Sequence, residues 1–286
     1  MAEISAQLVG KLREKTGARL MDCKKALTET AADSGKGEAG WMESAEAWLR
    51  KKNLDKGDKM AEKAATEGLL GYKVSPNAIT VVEMTANTDF VCKNDEFLKL
   101  LKDLVEMADA QNITDTAKLA SAPLGGTAVT DAVKSLAGKI GENIGLKRVV
   151  RCTGEFGFYI HHDNKQGAVV ELSGVTGDKA REVGKDIAMH VVFAKPNFLS
   201  RDEVPADLVQ KETDIASEKL KSDPKNANKP AEILKKIVAG QVNKFFSTLV
   251  LPDQPYYKES SKTVAQVLKD QGATVKRFVR FEVGVI

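Results

Sequence analysis

Apolar residues recur at helical spacing up to about Lys52 and switch, at Gly68, to runs of strand character. From that switch onward one local order occurs twice, a two-stranded hairpin followed by an amphipathic helix. The first hairpin is Leu69–Val74, the turn Ser75-Pro-Asn77 and Ala78–Thr85. The helix after it covers about Asn94–Ala110, with Phe97, Leu98, Leu101, Leu104, Val105 and Ala108 at helical spacing. The second hairpin is Phe156–His161, the turn Asp163-Asn-Lys-Gln-Gly167 and Ala168–Leu172, and its helix covers about Asp178–Phe193. The echo reaches single residues. Thr80-Val-Val-Glu-Met-Thr-Ala-Asn-Thr-Asp89 aligns with Ala168-Val-Val-Glu-Leu-Ser-Gly-Val-Thr-Gly-Asp178 across one inserted glycine. Val-Val-Glu is common in strands, so chance is an alternative, but the shared hairpin-then-helix order favours a duplicated α+β unit. The second copy has nothing equivalent to Phe90, which marks that aromatic as an addition to the scaffold.

Ahead of the switch, Ile4, Leu8 and Leu12 predict a first helix that Gly17 stops. Leu20, Cys23 and Leu27 share one face of a second, about Met21–Thr30. Ala45, Trp48 and Leu49 turn inward from a third, about Met42–Lys52, and Ala32–Gly40 reads as the loop between the last two. These helices form an N-terminal domain over residues 1–53, and the charged stretch 54–66 reads as a linker helix or tether. One core subdomain is expected over 67–152 and another over 153–286. Inside the latter, Leu208–Leu220 is weakly patterned and Ser222–Pro230 is rich in Pro and Asn. Leu234, Val238, Gln241, Phe245 and Thr248 then follow at spacings of four and three. The combination predicts an antiparallel helical hairpin at about 206–250 that projects from the body. A helix near Thr263–Gln271 and a strand over Thr274–Val283 close the chain, Val279, Phe281 and Val283 alternating against Arg280 and Glu282. The fold class is α+β.

With 286 residues the chain suits about two domains. Its 42% hydrophobic and 29% charged content excludes a disordered tail and a membrane protein. Lys and Arg number 43 against 40 Asp and Glu, a net charge of +3, which is too balanced for a nucleic-acid binder with its basic patch. No apolar run approaches the ~20 residues that span a bilayer. Met1-Ala-Glu-Ile-Ser5 lacks the regions of a signal peptide, so a soluble, cytoplasmic protein with no membrane and no direct nucleic-acid partner is expected.

Cys23, Cys92 and Cys152 are odd in number and share no CxxC spacing, which predicts reduced, mostly buried thiols. His161 and His162, adjacent on a strand, are expected to point to opposite faces and so not to share a metal. His190, beside Val183, Ile187 and Val191, reads as a hydrogen-bonded helix histidine. Gly35, Gly37 and Gly40 spell GxGxxG, but a helix precedes them where a dinucleotide fold needs a strand, so a flexible interhelical loop is expected. Gly138–Gly145 lacks the phosphate-loop pattern, and neither GxSxG nor HExxH is present. No catalytic residue, metal or cofactor is expected.

What remains prominent is Asn87-Thr-Asp-Phe-Val-Cys92, between a strand end and a helix start. Thr88 can serve as N-cap, and Asp89 suits a helix N-terminus. Phe90 then stands on the first turn beside an acid. It is either a hydrophobic staple, packed on the helix it precedes, or an anchor for a partner.

Leu12-Arg-Glu-Lys-Thr-Gly-Ala-Arg-Leu-Met-Asp-Cys-Lys-Lys-Ala-Leu27 and Glu83-Met-Thr-Ala-Asn-Thr-Asp-Phe-Val-Cys-Lys93 resemble the two signature stretches of the translation elongation factor Ts family. Lys139-Ile-Gly-Glu-Asn-Ile144, Ile187-Ala-Met-His-Val191, Ser261-Lys-Thr-Val264 and Arg280-Phe-Glu-Val-Gly284 are similar to further stretches, in the family's order. The resemblance implies a ubiquitin-associated-like three-helix domain, a two-subdomain core and a protruding helical hairpin. It implies a guanine-nucleotide exchange factor for elongation factor Tu, bound in its GDP-loaded and nucleotide-free forms, with no cofactor and no bond chemistry. Thr88, Asp89, Phe90 and Val91 would enter near the partner's magnesium site and so release GDP. Leu20, Met21 and Lys24 would form the N-terminal contact, Ile140 and Gly141 would lie near the wedge, and His161 would make another core contact. The chain departs from the family pattern at Thr85, Ala86 and Asn87, at Cys92, and at Val192 and Phe193, where two alanines are common. It also stops at Ile286, without the C-terminal helix some bacterial members carry. The alternative is a binding adaptor that captures its partner through the N-terminal helices without accelerating GDP loss.

Overall fold

The computed structural model describes residues 4–34, 37–222 and 229–284. Gly35 of the GxGxxG run and most of the Pro/Asn-rich stretch lie outside these residues. Three helices open the chain: α1 (Ala6–Thr16), α2 (Leu20–Ser34) and α3 (Gly37–Met60). Ser5 caps α1 by accepting from the Leu8 amide, and Gly17 ends it in the left-handed region at φ 61°. Leu8, Leu12, Cys23, Leu27, Ala45 and Leu49 bury together, with Trp41, Met42 and Trp48 packed at the edge. Most of Ala32–Gly40 is helical, where a loop was expected, because α2 continues to Ser34 and α3 begins at Gly37. Gly40 is buried and the residues after it pack on this core, and packing outweighs the poor helix propensity of glycine.

Strands β1 (Glu67–Ser75) and β2 (Ala78–Ala86) form a hairpin around Pro76 and Asn77, and α4 (Asp95–Ala110) follows. Next come α5 (Thr116–Ser121), the short strands β3 (Pro123–Leu124) and β4 (Thr127–Ala128), and α6 (Val129–Ile140). Then β5 (Ile144–Thr153) completes a sheet in the order β1-β2-β5. Central β2 is buried without a break from Ala78 to Met84. Its Val82, Met84 and Ala86 share one core with Phe97, Leu101 and Leu104 of α4 and Val133 and Leu136 of α6.

Helix α3 reaches α6 as well. A Cβ added to Gly138 of α6 would stand 1.9 Å from the Asn53 carbonyl oxygen, and one added to Gly57 of α3 would stand 2.2 Å from that of Lys134. Only glycine lets two helix backbones approach so closely. Position 53 therefore falls inside a continuous helix, and 54–60, read from sequence as a linker helix or tether, is helix packed on α6.

The later chain contains β6 (Phe156–Ile160), β7 (Gln166–Ser173), α7 (Gly177–Ala194), and the side-by-side helices α8 (Ala206–Ser222) and α9 (Ala231–Leu249). It ends with β8 (Pro255–Tyr256), β9 (Glu259–Thr263), α10 (Val264–Gln271) and β10 (Thr274–Glu282). The sheet order β10-β7-β6 again places the second hairpin strand in the centre with a late strand beside it. Ala168, Val170 and Leu172 of β7 share a core with Ala180, Val183, Ile187 and Val191 of α7. In β10 a register shift lies between Val275 and Arg277, ahead of the alternation expected from Val279 onward. Val275 and Phe278 both join this core as a result, whereas Phe281 is buried on the other face of the strand. Along α9, Leu234, Val238 and Phe245 are half-buried, while Gln241 and Thr248, expected in the same seam, are exposed.

The chain divides into two compact units. One holds residues up to Ser75, Ile79–Arg151 and the chain from Val283; the other holds Pro76–Ala78 and Cys152–Glu282. Among the described residues no helix is long and apolar enough to cross a membrane.

Candidate partner-binding site

Between β2 and α4 the chain makes one 3₁₀ turn, Val91–Lys93, with Phe90 in right-handed helical conformation just before it. Val91 and Cys92 are buried in the core of the first unit and pin the loop from inside. Phe90, one residue earlier, is 76% exposed. A staple requires that ring to pack on the helix it precedes, so the staple reading fails. The Lys93 ammonium stands 5.5 Å from the Phe90 ring centroid and pairs with the Asp89 carboxylate at 2.8 Å. An exposed i,i+4 pair stabilises by only about 0.3–0.5 kcal/mol, weak enough for a partner to rearrange. Acid, aromatic and base thus stand together on a loop whose inner side is fixed.

Two loop residues sit differently from the sequence expectation. The N-cap of α4 is Asn94, whose side chain accepts from the Glu96 and Phe97 amides, because the 3₁₀ turn separates Thr88 from the helix. Thr88 instead donates its hydroxyl to Glu142 Oε2 at 2.7 Å. Val91, expected to face a partner beside Phe90, faces the core.

The segment after α6 braces the loop. Helix α6 ends at Gly141, whose φ of 87° favours glycine. The Asn143 carbonyl accepts from the Asn87 amide at 3.0 Å. The side-chain amides of Asn87 and Asn143 donate to the carbonyls of Ala64 and Lys63. Lys139 pairs with Glu96, in the first turn of α4, at 2.7 Å. On the other side Arg19, one residue before α2, donates to the Ile140 carbonyl at 3.3 Å. Ile140 and Gly141, both half-buried, therefore lie between the Phe90 loop and the start of α2.

The first turn of α2 presents Leu20, 49% exposed, and Met21, 70% exposed, with exposed Lys24 one turn on. Asp22 points the other way and binds Lys52 and Lys56 of α3 at 2.9 and 3.0 Å. The hydrogen bond from Lys52, ahead of that from Lys56, holds the Asp22 carboxyl below the usual carboxylate range. The helix carrying Leu20 and Met21 is fastened from behind.

His161 belongs to the second unit. Its Nδ1 lies 2.7 Å from the Tyr159 hydroxyl, and it lines a recess of about 490 Å³ with Met189, Phe193, Lys195 and Tyr257. Phe193, a departure from the family pattern, is exposed at that recess. The His161 and His162 rings do not point apart. Strand β6 ends at Ile160, strand alternation ends with it, and the turn leaves the two ring centroids 4.3 Å apart. Among the described residues no group of His, Cys, Asp and Glu could hold a metal ion.

His190 is buried and satisfied: Nδ1 accepts from the Tyr257 amide at 3.3 Å and Nε2 stands 3.0 Å from Gln254 Oε1. Burial lowers its pKa, partly offset by the bond to Gln254. All three cysteines are buried, and burial pushes the Cys152 thiol up to about 11. Glu142 and Asn143 were not singled out from the sequence. The only signal was their place inside the Lys139–Ile144 stretch, where Ile140 and Gly141 drew attention instead.

Fold and site together define an α+β protein that holds apolar and aromatic side chains toward solvent on fixed elements. Residues 87–285 match the family described as Elongation factor TS. The chain is 42% identical over 286 residues to Elongation factor Ts of Burkholderia mallei (strain NCTC 10229) and of Burkholderia pseudomallei (strain K96243). It is 41% identical to Elongation factor Ts of Burkholderia thailandensis, and in each case the match covers 99% of this chain and 92% of the relative. The chain belongs to the elongation factor Ts family, and its role lies in translation elongation.

Proposed function

We propose that this protein is a guanine-nucleotide exchange factor that binds elongation factor Tu·GDP and promotes GDP release by disturbing its magnesium site. The observation that carries this reading is Phe90, 76% exposed beside Asp89 on a loop whose next two residues are buried. In P-loop GTPases a magnesium ion bridges phosphate oxygens and offsets their charge. A carboxylate and a bulky ring brought against that ion shift it or its ligands, and the diphosphate loses its counter-charge. Its dissociation then accelerates with no bond made or broken. Leu20, Met21 and Lys24 supply a grip on the same partner, and the recess around His161 supplies another. Holding one partner at several sites raises the effective concentration of the wedge at its target.

The test is stopped-flow release of a fluorescent GDP analogue from elongation factor Tu against rising concentrations of this protein. Release should accelerate at least tenfold and saturate, a change equivalent to about 1.4 kcal/mol in the barrier. Binding with an unchanged release rate would overturn the exchange reading and leave an adaptor that captures its partner through α2.

A further inference from the structure

We infer that Glu142 is a positioning residue for the Asp89–Phe90 loop, holding it in the conformation in which it meets the GTPase. The inference rests on the exchange reading and goes beyond it, since Glu142 touches neither the nucleotide nor the magnesium in that mechanism. Its carboxylate accepts the Thr88 hydroxyl at 2.7 Å, one residue before Asp89, and the Asn143 carbonyl accepts the Asn87 amide at 3.0 Å. Two consecutive residues of the loop are thus bonded to two consecutive residues that follow α6.

The segment that supplies these bonds is itself anchored three ways. Lys139 pairs with Glu96 of α4, the Asn143 side chain donates to the Lys63 carbonyl, and Ile140 accepts from Arg19 at the start of α2. Past Thr88 the loop is fixed again by the burial of Val91 and Cys92. Asp89 and Phe90 therefore span a short gap between two fixed points, and Glu142 supplies one of the side-chain bonds at the first, beside that from Asn87 to the Ala64 carbonyl. Without that bond the loop keeps its inner anchor but samples other conformations on the Thr88 side. The rate at saturating concentration then falls in proportion to the fraction of molecules holding the competent one. The encounter surface at Leu20 and Met21 is untouched, so the concentration giving half-maximal rate should not move.

Glu142→Ala is expected to lower the limiting rate of GDP release five- to tenfold, with the half-maximal concentration within twofold of wild type. Its melting temperature should stay within about 3 °C, because one part-buried hydrogen bond contributes only about 1 kcal/mol to a chain of this size. Glu142→Gln keeps an oxygen that accepts from Thr88 and should recover most of the lost rate. Thr88→Val should reproduce the loss, and the double variant should be no slower than the slower single one, since both remove the same bond. Amide hydrogen exchange gives a readout independent of the partner. In Glu142→Ala the Asn87 amide, bonded to the Asn143 carbonyl, should exchange faster, while the amides of α4 keep their protection. A Glu142→Ala protein with the wild-type limiting rate and unchanged loop protection overturns the inference. So does a rate loss matched by a large fall in melting temperature, or one that Glu142→Gln does not relieve. A wild-type protein that fails to accelerate release overturns the exchange reading itself, and that result is separable because it precedes any variant.

Discussion

At the residue scale, Phe90 and His190 are opposite uses of an aromatic side chain. Burying a phenylalanine contributes about 1.5–3 kcal/mol, and Phe90 leaves that gain unrealised in the free protein. Its removal should therefore cost function rather than stability. Phe90→Ala is expected to melt within a few degrees of wild type and to slow GDP release tenfold or more, since truncated interface aromatics typically cost about 2 kcal/mol. Asp89→Ala should follow in the same direction by less, because its contribution is electrostatic. Parallel melting curves and release kinetics check both; an early-melting Phe90→Ala with normal exchange when folded would make the ring a structural residue. His190 is the reverse case. Burial holds its folded pKa below the usual value of about 6.5, so the unfolded chain binds more protons as pH falls through that value. Stability is complete above about pH 6.5 and should decline on acidification toward the folded pKa. Melting temperature measured from pH 7.5 to 5 should show that decline, and His190→Gln, less stable at pH 7.5, should flatten it. Phe90 was legible from the sequence because the second hairpin-helix copy has no counterpart. The partner of Thr88 was not, since Glu142 is 54 positions away.

At the scale of elements, identical substitutions should act with opposite sign according to what faces the helix. Gly240 of α9 has nothing within 4 Å of an added Cβ, so Gly240→Ala should stabilise by about 0.5–1 kcal/mol through helix propensity. Gly138→Ala gains the same propensity, but its methyl would stand 1.9 Å from the Asn53 carbonyl oxygen, a backbone atom that cannot rotate away. Forcing α3 off α6 should outweigh the gain and lower the melting temperature by about 5 °C, from a net loss of about 2 kcal/mol. Scanning calorimetry of the two variants decides it, and a stabilised Gly138→Ala would mean the helices do not cross this closely. The helices themselves were legible from period and caps. Their lengths were not. The sequence expectation ended the third helix near Lys52, because the charged stretch beyond it has no apolar stripe, and α3 continues to Met60 on close backbone contact that hydropathy does not register.

At the scale of the whole molecule, exchange is a coupling between two ligands of one GTPase, and coupling is reciprocal. Whatever factor this protein takes from GDP affinity, GDP must take from the affinity of this protein, tenfold for each 1.4 kcal/mol. Titration calorimetry against nucleotide-free and GDP-loaded elongation factor Tu should give that ratio, and equal affinity for both forms would end the exchange reading. The α+β class and the repeated hairpin-then-helix order were determined by the sequence alone, whereas Phe90 stood open between staple and anchor, and Leu20 read as sharing a face with Cys23 and Leu27, until the structure exposed both. Hydrophobic period, turn chemistry and helix stops are local, and each is written within a few neighbouring residues. Tertiary structure alone decided which candidates are held and by what. It turned Val91 inward, gave Thr88 to Glu142 in place of the α4 cap, carried α3 past residue 53 onto α6, and brought the His161 and His162 rings side by side. The long-range contacts among these join segments far apart in the chain, where each side reads as ordinary until the other is beside it. The rest follow from where a turn or strand ends, which no hydrophobic period marks.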